Sequence, residues 1–403
     1  MKNILLITTI YPLPTKDNHG TAVCHFFARE WVKMGYNVQV IHYQAVYPRF
    51  FYWIARINQK RIAAKTGAVV YTHRDKDVSE YVMEGVSVIR IPLYKPIPHG
   101  RFSHKAIEES ILTIIEKNKE KGVIPDVILG HFPNPQIEVL GLLKDFYPSA
   151  KTSIVMHGDI EMTKKVYGDR LPLLMEKIDM WGFRNSPDER RFKKEISNIK
   201  SPYICYSGIP AKYITLRNTH NFDGPLTKFL YVGEMIERKY PSLIIDALSS
   251  AYPNKNFSLT YIGDGRELSS INRKIDKNGI QQNVTILGKM VRDEIVKQYD
   301  EADCLIMISR GECYGLVYLE AMARGCIAIA SRDEGFDGII KNGENGFLCE
   351  AGNAKELASI IAKINSMSTS ERQRISEKAI ETAKWLTDEN AAKMYINDVK
   401  ERM

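Results

Sequence analysis

The sequence predicts an α/β protein of two Rossmann-like, doubly wound domains, and three observations predict it. A chain of 403 residues has the length of about two domains. Short, continuously apolar runs, such as 304–308 (Cys-Leu-Ile-Met-Ile) and 326–330 (Cys-Ile-Ala-Ile-Ala), suit strands buried on both faces of a parallel sheet. The opening pattern, a strand running into a glycine-containing loop, starts again at 228–233 (Lys-Phe-Leu-Tyr-Val-Gly). Two such domains in tandem would face each other across a cleft. Ligands bind such sheets beyond the carboxyl ends of the strands.

In the first half, residues 3–10 read as a strand, 11–20 as a Pro- and Gly-containing loop, 21–34 as a helix closed by Gly35, and 38–42 as the next strand. Residues 4–10 follow Lys2 but have no cleavage site, so they are not a signal segment. The stretch 47–65 is unusual. Arg49, Arg56, Lys60, Arg61 and Lys65 mix with Phe50, Phe51, Tyr52, Trp53, Ile54 and Ile57, and no acidic residue intervenes. Two readings stand: an interfacial helix on an anionic leaflet, or a basic helix whose aromatic residues dock on their own domain. Residues 86–91 read as a strand, and a helix is expected from about 104 to 120. Two further strands, at 125–131 and 152–158, each lead to a histidine, His131 and His157, on the ligand edge. A strand-end histidine is structural or functional, and the repeat favours function.

In the second half the polar stretch 215–224 is the expected linker. Strands are expected at 228–233, 258–262 and 284–288, the second followed by Gly263 and Gly265. Between the apolar runs 304–308 and 326–330 lies a loop with Glu312 and then a helix opened by Gly315 and closed by Gly325. At about 100° per residue, Glu320 falls on the packed stripe of that helix with Leu316, Leu319 and Ala323. A carboxylate there needs a partner, either an Arg or cap from a neighbouring element or a ligand. Eight residues at about 1.5 Å rise would separate Glu312 from Glu320 by roughly 12 Å, too far for a hydrolytic pair at about 5–9.5 Å. Carboxylates on either side of a helix N-terminus instead suit a diphosphate on the N–H groups of Cys313, Tyr314, Gly315 and Leu316, with hydroxyls at each end. A sugar joined to a nucleoside through a diphosphate has that layout.

Glu312-x7-Glu320, within Ser-x-x-Glu-x-Tyr-Gly-Leu-x-x-Leu-Glu-Ala-Met-Ala-x-Gly at 309–325, resembles the signature of the retaining glycosyltransferases of family 4, which have the GT-B fold. The resemblance covers the second half well and the first loosely. It implies that Glu312 holds the hydroxyls of the transferred sugar, that Glu320 takes the ribose hydroxyls, and that His157, at the family's His-Gly element, orients the sugar. Gly20, in the first loop, and Gly233 would approach the donor phosphates. The family's Gly-Arg-x4-Lys reads here as 233–239 (Gly-Glu-Met-Ile-Glu-Arg-Lys), so Lys239 matches, Glu234 stands at the Arg position, and Arg238 is the cation placed to replace it. Residues 1–213 would form the acceptor domain and 225–386 the donor domain. The helix 387–403 would cross back to the first.

The implied activity moves a sugar from a UDP- or GDP-sugar to a hydroxyl of a glycan or polyprenyl-linked acceptor in bacterial surface polysaccharide synthesis. The rivals are a degenerate nucleotide-sugar-binding subunit and a GT-B phosphorylase or epimerase. Arg49, Phe50, Phe51, Trp53, Arg56 and His131 are assigned to the acceptor or the membrane. No cofactor is expected, and no metal, because Asp75-Lys-Asp77 lies in a charged segment without a leading strand. The formal charge of +8 suits anionic partners, nucleic acid least, since no recognition motif is present. The six cysteines, with no C-x-x-C spacing, read as buried thiols. No segment reaches membrane-spanning length, so the expected place is the cytoplasm, peripherally on the inner face of the cell membrane.

Overall fold

A computed structural model of the chain describes residues 1–14, 22–66, 73–98, 100–158, 160–216, 218 and 220–403, with the backbone alone for 60–66. Gly20 and the side chains of Lys60, Arg61 and Lys65 lie outside the described residues. The chain divides into two compact units, Met1–Arg184 with Asp188–Tyr206 and Ala391–Met403, and Asn185–Pro187 with Ser207–Asn390.

The first unit contains β1 (Asn3–Thr8), α1 (Val23–Lys33), β2 (Asn37–Val46), α2 (Arg49–Thr66), β3 (Ser79–Met83), β4 (Val86–Tyr94), α3 (His104–Glu120), β5 (Val127–His131) and α4 (Pro133–Phe146). It continues with β6 (Lys151–Met156), α5 (Ile160–Tyr167), α6 (Leu171–Glu176), β7 (Met180–Phe183), α7 (Ser186–Glu195, from Asp188 onward in this unit) and β8 (Pro202–Ile204). The sheet order is β3-β4-β2-β1-β5-β6-β7-β8, parallel throughout except for β3. The continuous apolar run of β1 serves two faces. Leu5 and Ile7 enter one core with Ile41 and Ile128, while Ile4 and Leu6 enter the other with Val40 and Leu129. That is the period of two expected of a strand covered on both sides. Each buried side chain stabilises by about 1.5–3 kcal/mol. The sheet order reverses between β1 and β5, where Thr8 pairs with His131.

Helix α3 spans the expected residues and is capped by Ser103, whose Oγ accepts from the Ala106 N–H. The β3–β4 hairpin was not expected. Its β3 is a half-exposed edge strand that alternates along 79–83, so the preceding charges hide it. Strand β2 also runs four residues beyond the expected His42.

The second unit contains β9 (Lys228–Val232), α8 (Pro241–Ala251), β10 (Ser258–Ile262), α9 (Leu268–Asn278), β11 (Val284–Gly288), α10 (Arg292–Glu301) and β12 (Cys304–Ile306). Then come α11 (Leu316–Arg324), β13 (Ile327–Ser331), β14 (Phe347–Cys349), α12 (Ala354–Ser366) and α13 (Thr369–Trp385). All six strands are parallel in the order β11-β10-β9-β12-β13-β14. This is the doubly wound order, with its switch point between β9 and β12.

The segment from Ser207 is already held inside this unit. Ser207 O accepts from the Tyr314 hydroxyl at 2.7 Å, and Thr215 N–H donates to Ala323 O at 3.0 Å. In the polar stretch, Phe222 is buried and Asn218 Nδ2 donates to Ser376 Oγ at 2.8 Å. These contacts pack Thr215, Asn218 and Phe222 within the unit, and the chain changes units at 206–207. The last helix, α14 (Asp388–Glu401), contributes its residues from Ala391 onward to the first unit. There Ala392 O accepts from Trp31 Nε1 at 2.9 Å, and Tyr395, Ile396 and Val399 join the core of β1 and α1.

Candidate active site

The switch point of the second unit gathers most of the residues the sequence singled out. Beyond β9 lies Gly233, and beyond β10 lies Gly263, where a Cβ would stand 1.9 Å from Gly233 O. With φ at 136°, Gly263 also has a backbone that only glycine takes without strain. The loop after β9 then makes a short 3₁₀ turn, Glu237–Lys239, ended by Tyr240 in the left-handed region. Lys239 Nζ lies 3.4 Å from Glu312 Oε2, and both side chains are about one-sixth exposed.

Arg238, the cation expected to stand in for the family's arginine, is engaged with the neighbouring loop. Its guanidinium donates to the carbonyls of Arg310 and Gly311, each at 3.2 Å, and its own carbonyl accepts from Arg310 N–H at 2.7 Å. It therefore fastens the Lys239 turn to the Glu312 turn. Glu234 is exposed, and its carbonyl accepts from the Tyr231 hydroxyl. Its carboxylate thus stays in water.

Helix α11 opens at Gly315, φ 87°, where a Cβ would meet the Tyr318 ring at 2.5 Å. The preceding turn is held by side chains. Tyr318 donates to Met307 O at 2.5 Å, and Asn185 Nδ2 donates to Cys313 O at 2.8 Å. Gly335 admits the turn, since a Cβ there would lie 2.5 Å from Glu312 O and Tyr314 N. Leu316 begins the helix, whose first N–H groups have no partner within it.

Glu320, 5% exposed, faces inward from α11. Its Oε1 accepts from Arg292 Nε at 2.6 Å and its Oε2 from the Tyr299 hydroxyl at 3.0 Å. Arg292 also lies 5.3 Å over the Tyr213 ring. Burial, and then the Glu320 charge, pushes the Tyr299 hydroxyl well above the usual phenol range, so it stays a donor. An arginine partner is therefore present, and two of the carboxylate's roughly four acceptor positions are taken.

In the first unit His131 and His157 meet. His131 Nδ1 lies 2.9 Å from His157 Nε2, and its Nε2 lies 3.1 Å from the Tyr395 hydroxyl. Phe132 stacks on His157 with centroids 4.0 Å apart. Burial, with Arg184 nearby, holds both imidazoles well below the ordinary histidine range, so both are neutral at pH 7.

Helix α2 splits its aromatic residues. Tyr52 and Ala55 are buried in the unit, whereas Phe50 (56%), Trp53 (67%) and Ile57 (63%) are exposed, with Phe51 stacked on Phe50. Arg49 and Arg56 are exposed on the same helix, which kinks at Asn58. Asp75 pairs with Arg90, and among the described residues no three His, Cys, Asp or Glu side chains converge as metal ligands. The six cysteines are free thiols, five of them buried, and burial raises Cys24, Cys205 and Cys349 to about 12. No helix of the described residues is long and apolar enough to cross a membrane.

Arg292, Tyr299 and Tyr395 were not singled out from the sequence, whereas Glu334 opens the stretch 334–337 (Glu-Gly-Phe-Asp) that resembles the family's tail. Glu334 Oε2 accepts the Glu312 N–H at 2.9 Å. It stands just past the carboxyl end of β13, on the ligand edge of the sheet. Arg292, Tyr299 and Tyr395 come from distant elements, with no local pattern to mark them.

Residues 213–382 match the sequence model of the family described as "Glycosyl transferases group 1". Over 168 residues the chain is 28% identical to an uncharacterized glycosyltransferase of Methanocaldococcus jannaschii, covering 41% of this chain and 45% of that one. Over 187 residues it is 29% identical to the N-acetyl-alpha-D-glucosaminyl L-malate synthase of Bacillus anthracis, covering 46% and 44%. The chain thus spans slightly under half the length of these two relatives. With the amylovoran biosynthesis glycosyltransferase AmsK of Erwinia amylovora it shares 23% identity over 90% of both chains.

Among solved structures, the sucrose-phosphate synthase of Thermosynechococcus elongatus aligns with a TM-score of 0.69, 16% identity, and 100% and 99% coverage. HepE of Anabaena, in complex with UDP and glucose, aligns with a TM-score of 0.65, 15% identity and full coverage of both chains. The two-domain parallel-sheet fold is that of the GT-B glycosyltransferases.

Proposed function

We propose that the chain is a retaining glycosyltransferase whose second unit binds a nucleoside-diphosphate sugar and whose first unit presents a glycan or lipid-linked acceptor. The observation that carries this reading is the Lys239–Glu312 pair beside the opening of α11, at the β9/β12 switch point. Without a ligand the two charges answer each other. An arriving diphosphate draws Lys239 to itself and settles on the N–H groups of 313–316. Glu312 is thereby freed for the sugar hydroxyls and for the positive charge that grows on the anomeric carbon.

During transfer the bond from the anomeric carbon to the diphosphate oxygen breaks, and the bond to the acceptor oxygen forms on the same face. The acceptor's proton passes to the departing phosphate. Lys239 and the helix N–H groups stabilise the leaving charge, the largest contribution in such a site. Glu320, held by Arg292 and Tyr299, keeps lone pairs for the ribose hydroxyls. Neutral His157 orients the sugar by hydrogen bonding without adding charge. No step calls for a metal ion.

The relatives support the class of reaction: AmsK is named for amylovoran biosynthesis, and HepE carries UDP and glucose. A UDP- or GDP-sugar donor and a surface-polysaccharide acceptor follow as the proposal. The exposed Phe50, Trp53 and Ile57 beside Arg49 and Arg56 on α2 support peripheral contact with the anionic inner leaflet. The test is transfer from nucleotide sugars with NMR of the product in chelator. An α-linked product from an α-linked donor is expected. An inverted linkage, or activity lost to chelator, contradicts the reading.

A further inference from the structure

Besides the histidine pair, the first unit has a shallow open pocket lined by Arg101, His104, Asn134, Glu138, Tyr167 and Arg170, with Phe102 and Val166 as apolar walls. It draws on the loops that follow β4 and β5 at the carboxyl edge of the sheet, together with the end of α5 and the turn into α6.

Glu138, 6% exposed, forms the base of the pocket. Its Oε1 accepts from Arg170 Nη2 at 2.8 Å and pairs with His104 Nδ1, and His104 Nε2 lies 3.4 Å from Glu108 on the outer side. Arg170 and Glu138 thus offset one another. Arg101 remains. Its side chain is exposed, its Nη2 reaches the Gly168 turn two residues before Arg170, and it has no hydrogen bond or ion pair among the described residues. Lys95 adds a further cation, 4.7 Å over the Phe102 ring. The pocket therefore pairs aromatic and aliphatic walls with a cation left over.

The pocket adjoins the proposed chemistry. Phe132 stacks on His157, and Asn134, two residues on, lines the pocket with its Nδ2 donating to Gly100 O at 3.0 Å. Two residues of chain span at most about 7 Å.

We propose that this pocket is an acceptor subsite for a sugar residue bearing an anionic substituent, a carboxylate or a phosphate, held by Arg101 with Arg170. The apolar walls take the C–H faces of the ring, and the planar guanidinium receives the two oxygens of the charged group. This rests on the reading that the first unit takes the acceptor.

The test is thermal unfolding of the full chain at saturating UDP, so that the donor site is filled, against galacturonate, glucose 6-phosphate, galactose and glucose. A charged sugar should raise the midpoint where the neutral sugars do not. Arg101→Gln should weaken that response about tenfold, as loss of a charge-assisted hydrogen bond does, while the UDP response stays as in the wild type. Arg170→Gln is the second variant. A response to galacturonate alone identifies a uronate subsite, and one to glucose 6-phosphate alone a phosphate subsite. Equal responses to neutral and charged sugars, no response to either charged sugar, or a response unchanged in both variants overturns the proposal. A chain that ignores UDP yet answers the charged sugars through Arg101 would sink the donor reading and leave this one standing.

Discussion

Glu320→Gln separates the two roles that α11 gives this carboxylate. The substitution keeps the shape and removes the charge. The Gln oxygen can accept from the Arg292 Nε–H and its N–H₂ can donate to the Tyr299 hydroxyl, so both contacts survive in neutral form while the charge that paired with the guanidinium is lost. Breaking a buried ion pair costs about 3–5 kcal/mol. The Arg292 side chain is 31% exposed and stays partly hydrated, so we expect a cost below that range, about 2 kcal/mol, close to one hydrogen bond to a charged group. For a unit of this size 1 kcal/mol moves the midpoint by about 2–4 °C, which gives roughly 4–8 °C. Stability alone does not show ribose binding.

The assay for that role is a double cycle: the affinity of the nucleoside diphosphate and of its 2′- and 3′-deoxy analogues for the wild type and for Glu320→Gln, by calorimetry. If the carboxylate accepts a ribose hydroxyl, removing that hydroxyl hurts the wild type more than the variant. Contacting groups couple by about 0.5–3 kcal/mol, and we predict about 1–2 kcal/mol, roughly five- to thirtyfold. A deoxy penalty equal in the two proteins would refute the contact and leave Glu320 as the anchor of Arg292 and Tyr299.

Lys239→Ala should lower kcat/KM for the donor about a hundredfold or more, as losing a donor to a developing anion does; rates near wild type would remove Lys239 from the mechanism. Gly263→Ala forces the two strand-end loops apart, since its Cβ would lie 1.9 Å from Gly233 O, and should cost about 1–3 kcal/mol, read by denaturant unfolding. His42, His131 and His157 all have folded pKa values below the unfolded 6.5, through burial in each case. The unfolded state therefore binds more protons below that pH, and stability present above about 6.5 is lost as pH falls, by at most about 1.4 kcal/mol per pH unit for each histidine. His42→Phe should flatten that slope in unfolding measured from pH 7 to 5. Vesicles of anionic lipid should retain the protein at low salt, and Trp53→Ser with Arg56→Gln should release it; equal retention on neutral vesicles would exclude the charge-assisted contact.

How much the sequence disclosed follows from how local each signal is. The buried parallel strands were legible because both faces of β1, β12 and β13 are covered, which leaves continuous apolar runs. Edge strand β3 was not, because one exposed face and neighbouring charges break the run. Gly315 and Gly325 marked the ends of α11, since both lie in the left-handed region. Glu312 and Lys239 could be placed on the ligand edge from their strands, but their ion pair could not, since it joins loops 73 residues apart. The turn of Arg238 toward the Arg310 and Gly311 carbonyls was hidden for the same reason. So was Tyr395 beside His131, which requires the last helix to fold back 264 residues. Linker composition misled at 215–224, because Phe222 and Asn218 find buried partners in the second unit.

The central claim is that the edge of the second unit between β9 and β12 binds a nucleoside diphosphate. Thermal unfolding of the wild type and of Lys239→Ala against UDP, GDP, ADP and CMP and their common sugar conjugates tests it most directly. The account predicts a rise of the midpoint with one diphosphate family, lost or much reduced in Lys239→Ala. No rise with any nucleotide, or a rise that Lys239→Ala leaves intact, would contradict it.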